Sequence, residues 1–460
     1  MNRWIRRSVH VVLAALLTSL GAVVAISSPA SAAATATAET VVYWNNTLLE
    51  AFRRQGGSPT PLARAAAIVH GGIFDLLNSA KVARQGNSAQ AYLPYAYHPF
   101  RLPVSNFDDN LAAGMVARDL IIFALPAQQA FAQQKFTQRH GSTSQATATT
   151  AAAEIVTAYR DARANDGSNA PATYTFDNVP GAWRLTGHLC PAPATPQWGR
   201  VKRFWVNTTL PPLPAGATTY ASLLTSSQYT ANFNEVKALG RSNSTTRTAE
   251  QTRIAWFWAN DLDGTYKPPG QLLEHTRIVA SARYGTAALE TARIFAMASI
   301  AMADAAVVAW NRKFDTPVDL WRPETAIQLA ATDNNPNTAP VDGWRPLSAD
   351  RNNIPFSPCF PAWVSGHATF AGAWAAAMRS QFGDNVTFTA TTEDPHAVGV
   401  TRTFTSFTAA ARENARSRIY LGVHYQFDAD DGITAGTGVG DAAGRLLGPY
   451  TYEPCTPTTC

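Results

Sequence analysis

The chain has 460 residues, 46% of them hydrophobic and only 15% charged, and its formal net charge of +5 falls to +2 once Arg3, Arg6 and Arg7 are set aside. A length of this order allows two or three domains, and so weak a charge argues against a nucleic-acid or anionic-membrane surface. The four cysteines, Cys190, Cys359, Cys455 and Cys460, include no Cys-x-x-Cys pair, which argues against a zinc site and for disulfides.

Residues 1–32 open with arginines, continue as an apolar run and end on Ala30-Ser31-Ala32, the pattern of a cleaved signal peptide. The mature chain is expected to begin near Ala33 and to be secreted, by the general route in preference to twin-arginine export. No later segment holds about 18 uninterrupted apolar residues, so no membrane span is expected. Oxidising surroundings favour disulfides, and of the three possible pairings the expected one joins Cys190 with Cys359 as a long-range staple and Cys455 with Cys460 as a tail loop.

Ala-rich helical periodicity recurs near 61–79, 107–123, 126–136, 142–163, 247–261, 270–282, 284–313, 367–382, 403–421 and 428–447, with Gly and Pro between segments and few strand signals. The fold class is all-α. Segments 166–222 and 331–362 are rich in Pro, Gly and Trp and read as ordered connectors packed by aromatics. Arg64 and Asp75 in "ARAAAIVHGGIFD" have the same spacing as Arg293 and Asp304 in "ARIFAMASIAMAD". Two similar helical bundles packed together would explain this echo, as would chance between Ala-rich helices. The expected organisation is 33–222 for an N-terminal bundle with its connector and 223–460 for a C-terminal bundle carrying the site.

Three groups of polar residues stand in apolar surroundings. "WNRKFDTPVDLWRPETA" holds Lys313 and Arg322-Pro323, "CFPAWVSGHATF" holds Ser365-Gly366-His367 at the start of a helix, and "ARSRIYLGVHYQFDADDG" holds Arg418, His424 and Asp428. A helix start offers unpaired amides to an anion, and arginine forks suit tetrahedral oxyanions. His424 and Asp428 are four residues apart, so the carboxylate can hold one ring nitrogen and leave the other as a ligand or nucleophile. Alone, each group reads as a helix cap, a loop end or a surface ion pair. His70, His188, His275 and His396 lie outside these groups, and no Gly-x-Ser-x-Gly elbow occurs.

Together, the order of the groups resembles the superfamily of vanadium-dependent haloperoxidases and type 2 phosphatidic-acid-phosphatase-like acid phosphatases, in its secreted bacterial haloperoxidase branch. The last block, Ser417-Arg418 with His424 and Asp428, matches that family's pattern without departure. Eight residues rather than six separate Lys313 from Arg322, which puts the reach of Lys313 in question, and Val364 stands where the family has proline.

The resemblance implies that Lys313, Arg322, Ser365, Gly366, His367 and Arg418 hold vanadate, or phosphate in the same place. It implies that His424 is the vanadium ligand or a phosphohistidine nucleophile, and that His367 is the acid-base residue. Asp428 would orient His424, and Asp261 in "FWANDLDG" would pair with Arg418. Trp310 and Phe360 match the halide side of fungal chloroperoxidases, and would otherwise be core aromatics. The implied activity is oxidation of halide by hydrogen peroxide to hypohalous acid, with a small organic acceptor. A secreted phosphomonoesterase and a non-catalytic helical binding protein remain alternatives on these residues alone, and the oligomeric state is open.

Overall fold

A computed structural model describes residues 35–86, 91–205 and 212–450. The signal peptide and the Cys455–Cys460 pair fall outside them. The described residues from 35 onward form one compact unit.

The first bundle holds α1 (Ala38–Gln55), α2 (Pro59–Gln85), β1 (Ala91–Tyr92), α3 (Asp109–Ala124), α4 (Gln129–His140) and α5 (Ala146–Arg163). An aromatic-pinned connector leads to α6 (Tyr220–Leu224), α7 (Ser227–Leu239), α8 (Ala249–Phe257), α9 (Lys267–Tyr284), α10 (Ala288–Phe314) and α11 (Pro323–Gln328). After the 331–362 loop come α12 (Gly366–Phe382), a hairpin of β2 (Phe388–Thr391) with β3 (Thr401–Phe404), α13 (Phe407–Tyr420), α14 (Gln426–Leu446) and β4 (Pro449–Tyr450). β4 pairs antiparallel with β1, tying the last segment to the first bundle. The fold is all-α with these two small sheets.

Three expectations shift in detail. The helix expected to reach 261 stops at Phe257, because Asn260 takes φ 44° and starts a tight loop. The segment expected to be helical from 403 first finishes β3, where threonines alternate with other residues, and turns helical at Phe407. α1, α6, α7 and α11 lie outside the segments expected to be helical. α10 is long and apolar enough to cross a membrane by length and composition, but 94% of its most apolar window is buried, as suits a helix surrounded by others.

The echo between the two halves is structural. α2 and α10 pack on each other; α3 and α5 flank α2 as α12 and α14 flank α10. The Asp75 carboxylate accepts the amides of Tyr95, Ala96 and Tyr97 in the segment after α2, and Asp304 on α10 accepts those of Phe204 and Trp205 in the connector after α5, so each aspartate anchors an irregular segment to its bundle helix. Arg64 donates to the Arg163 carbonyl at the end of α5, and Arg293 donates to the Leu447 carbonyl at the end of α14.

The same register sets Arg84 against Lys313, each twenty residues beyond its arginine. Arg84 grips both oxygens of Asp109, the first residue of α3, at 2.8 and 2.6 Å. The first half thus fills its helix N-terminus with its own carboxylate. Asp109→Ala should cost about 1 kcal/mol, because it removes a buried carboxylate that binds a part-exposed guanidinium, which keeps the Ser105 and Phe107 carbonyls; urea denaturation of the two proteins measures this.

Candidate oxyanion site

α12 and α14 meet through a row of glycines. A Cβ at Gly436 would collide with the Thr369 carbonyl, and one at Gly440 would collide with that of Ala373. Only glycine lets the two backbones approach so closely, and the contact brings the start of α14 to the start of α12. There the Ser365 amide donates to the Asp428 carbonyl at 2.9 Å. The turn from α13 into α14 depends on Gly422, where a φ of 81° and the close approach of the Gly240 carbonyl exclude a side chain. His424 follows that turn.

The structure gathers all the expected oxyanion residues. Lys313, Arg322, Ser365, Arg418 and Asp428 are fully buried, while His424 and His367 are 1% and 7% exposed, so their charges act in a site poor in water. The longer spacing after Lys313 is absorbed by an extended strip: Leu320 bridges Ala182, the Trp321 amide donates to Gly181, and the Ala362 amide donates to Leu320. Lys313 therefore reaches the site. Its ammonium donates to the Pro361 and Ala362 carbonyls at 2.7 and 3.1 Å, and Arg322 Nε donates to the Phe360 carbonyl at 2.7 Å. Three consecutive carbonyls thus aim two cations.

His424 Nδ1–H donates to Asp428 Oδ2 at 2.9 Å, and the same oxygen accepts the Tyr425 amide at 3.1 Å. That bond puts the lone pair on Nε2, which accepts from Arg322 Nη1 at 3.1 Å. His367 sits in the first turn of α12. Its Nε2–H donates to the Ala259 carbonyl at 3.0 Å, which leaves the lone pair on Nδ1. Asp261 holds Arg418 Nη2 at 2.7 Å and lies 3.9 Å from His367.

The electrostatics describe a cage built for an anion. Burial, reinforced by Arg322 and Arg418, holds the Lys313 ammonium well below its usual range. Burial and then the three cations hold His424 neutral, while burial and Arg418 push His367 down to about 4 against the pull of Asp261. Burial pushes the Asp428 carboxyl up, opposed by the Tyr425 amide and by Lys313 and Arg322. Arg322 Nη2 and Arg418 Nε and Nη1 are buried and have no partner within the protein. Unpaired buried donors are costly, so three of them beside an ammonium and a helix start constitute a seat for a multivalent oxyanion. Among the described residues no cluster of three His, Cys, Asp or Glu could grip a bare cation. A metal held as its oxyanion, with one imidazole, fits this donor set.

A cavity of about 550 Å³ borders the site through Phe360 and Asp261 and is lined also by Pro191, Leu262, Pro358 and Lys267. Cys190 and Cys359 are joined in a disulfide, as expected, and staple two of its walls together. Phe360 stacks under Lys313 and Arg322, each 4.8 Å from the ring centroid. Trp310 lies behind Phe360 at 4.9 Å between centroids, fully buried, with its indole N–H given to the Ala194 carbonyl. Sequence reasoning missed Lys267, which binds the Asp261 carbonyl; its rarity among only six lysines was the available signal.

Residues 293–450 match the VCPO second helical-bundle domain. Vanadium chloroperoxidase of Curvularia inaequalis is 31% identical over 236 residues, which cover 41% of this chain and 37% of that protein. This chain therefore matches well under half the length of that relative. Two solved bacterial structures share the fold. The first, described as the first bacterial vanadium-dependent iodoperoxidase, superposes with a TM-score of 0.72 at 22% identity, covering 91% of this chain and 98% of that one. An apo-type bacterial vanadium-dependent chloroperoxidase gives 0.63 at 19% identity, covering 85% and 94%. The chain has the fold of these bacterial vanadium-dependent peroxidases, and its residues 293–450 are similar to the VCPO second helical-bundle domain.

Proposed function

We propose that the protein is a secreted, vanadate-dependent haloperoxidase that uses hydrogen peroxide to oxidise halide to hypohalous acid, which halogenates a small organic acceptor. The observation that carries this reading is the set of unpaired, buried donors on Arg322 and Arg418 beside a neutral His424 whose Nε2 lone pair meets Arg322 Nη1. The reading also draws on the likeness to vanadium chloroperoxidase.

Lys313, Arg322, Arg418, the Ser365 hydroxyl and the Gly366 amide would hold the oxygens of vanadate, and His424 Nε2 would ligate the vanadium. When bound, vanadate supplies a Lewis acid that activates peroxide without changing oxidation state. The chain's own groups do the rest. The three cations neutralise negative charge on the bound oxygens, and Asp428 keeps His424 in the ligating tautomer. His367 takes up and returns protons at Nδ1, with Asp261 and the Ala259 carbonyl fixing its ring. Phe360, backed by Trp310, would line the halide side.

Export fits the Cys190–Cys359 disulfide and the N-terminal segment ending at Ala32. The two-bundle division at 222/223 is proposed as the domain organisation.

Orthovanadate added to metal-free protein should produce halogenation of a reporter dione with peroxide and bromide or chloride, and comparing the halides ranks them. Hydrolysis of a chromogenic phosphate ester, inhibited by vanadate and without halogenation, would replace this reading with a phosphomonoesterase working through His424.

A further inference from the structure

The loop between α8 and α9 reaches the site at two points: the Ala259 carbonyl takes the His367 proton, and the Asp261 carboxylate takes Arg418. Its backbone is under strain. Asn260 at φ 44° and Lys267 at φ 59° are non-glycine residues in left-handed conformations, and they bracket Asp261. Asn260 has local compensation, because its amide donates to Asp394 Oδ2 and its side chain to the Phe257 carbonyl and Thr392. Lys267 is the first residue of α9, followed by Pro268 and Pro269, and nothing in that helix start calls for a lysine.

What the lysine does lies in its side chain. The ammonium, in a residue only 4% exposed, donates to the Asp261 carbonyl at 2.6 Å and pairs with Asp263 at 2.7 Å. It therefore crosses the mouth of the loop and ties its far end to the residue that carries the Arg418 partner. Glycine would suit φ 59° better but could not make this clip.

We propose that Lys267 is a positioning residue for the oxyanion site: by clipping the Asp261 backbone it fixes the carboxylate that orients Arg418, and so aims Arg418 Nε and Nη1 at the bound oxyanion. Lys267 does not itself touch the anion. The inference rests on the oxyanion-binding reading and assigns a residue from outside its motif.

Isothermal titration of orthovanadate into metal-free protein tests it with Lys267→Met, Lys267→Gly and Asp261→Ala. Lys267→Met should weaken orthovanadate binding about tenfold, the scale of lost support for a ligating shell. Lys267→Gly, which removes the strain together with the clip, should weaken it to a similar degree. In the Asp261→Ala background, where no carboxylate remains to be positioned, Lys267→Met should have no further effect. Unchanged affinity in Lys267→Met, full affinity in Lys267→Gly, or the same tenfold loss in the Asp261→Ala background would each overturn the proposal while leaving the oxyanion reading intact. Absence of orthovanadate binding by the unmodified protein would overturn both.

Discussion

His424→Ala is expected to weaken orthovanadate binding by more than about 100-fold while leaving orthophosphate within about threefold, since losing a ligand should exceed the loss from its supporting shell. Both anions are tetrahedral and would meet the same cations, Lys313, Arg322 and Arg418. Only vanadium accepts a bond from an imidazole lone pair in its resting state, and the His424 Nε2 lone pair lies beside Arg322, one of the cations of the seat. The substitution should leave the cage standing, because Arg322 Nη1 keeps the Val423 carbonyl at 2.7 Å and Asp428 keeps the Tyr425 amide. Paired titrations of the two anions into wild-type and variant protein measure the difference. Equal losses for both anions would mean that His424 shapes the cage without ligating.

Much of this architecture is legible in the amino-acid sequence. Ala-rich periodicity locates most of the helices, because a helix buried on nearly every side, such as α10, must be apolar almost throughout. The eleven-residue Arg-to-Asp spacing corresponds to a likeness in contacts, since each aspartate collects backbone amides of an irregular segment and each arginine meets a helix end. The block from Arg418 to Asp428 keeps its spacing because it is local: one turn and one helix start carry it.

The reach of Lys313 is not legible in the same way. It depends on residues 320–321 pairing with 181–182, a contact between distant segments that leaves no mark in either composition. Likewise the partners of Lys313 and Arg322 are main-chain carbonyls, which any residue type supplies. The glycines at 432, 436 and 440 do stand at helical spacing in the sequence, and that spacing is a signal of close helix contact which composition alone does not convey. The exposed threonine-rich hairpin of β2 and β3 is masked by the helical pattern that follows it.

Asp428→Asn should separate oxyanion binding from catalysis by moving them in opposite directions. The carboxylate is fully buried, and its Oδ2 alone accepts both the His424 Nδ1–H and the Tyr425 amide. An asparagine of the same shape has one carbonyl oxygen and one amide group. If the oxygen keeps the Nδ1–H, the imidazole loses the negative charge that strengthens its Nε2 as a donor. If the amide faces the ring, the proton moves to Nε2 and the ligating lone pair disappears. In either orientation vanadate-dependent turnover should fall, by about 10²-fold for a lost carboxylate partner and toward about 10⁴-fold for a reversed tautomer. Orthophosphate binding should instead tighten: Asp428 is an anion among Lys313 and Arg322, and neutralising it leaves their charge less compensated. Turnover at saturating orthovanadate and titration of orthophosphate read the two quantities separately. A variant that loses both would show that Asp428 builds the cage; one that loses turnover but gains phosphate affinity would show that it acts through the His424 ring.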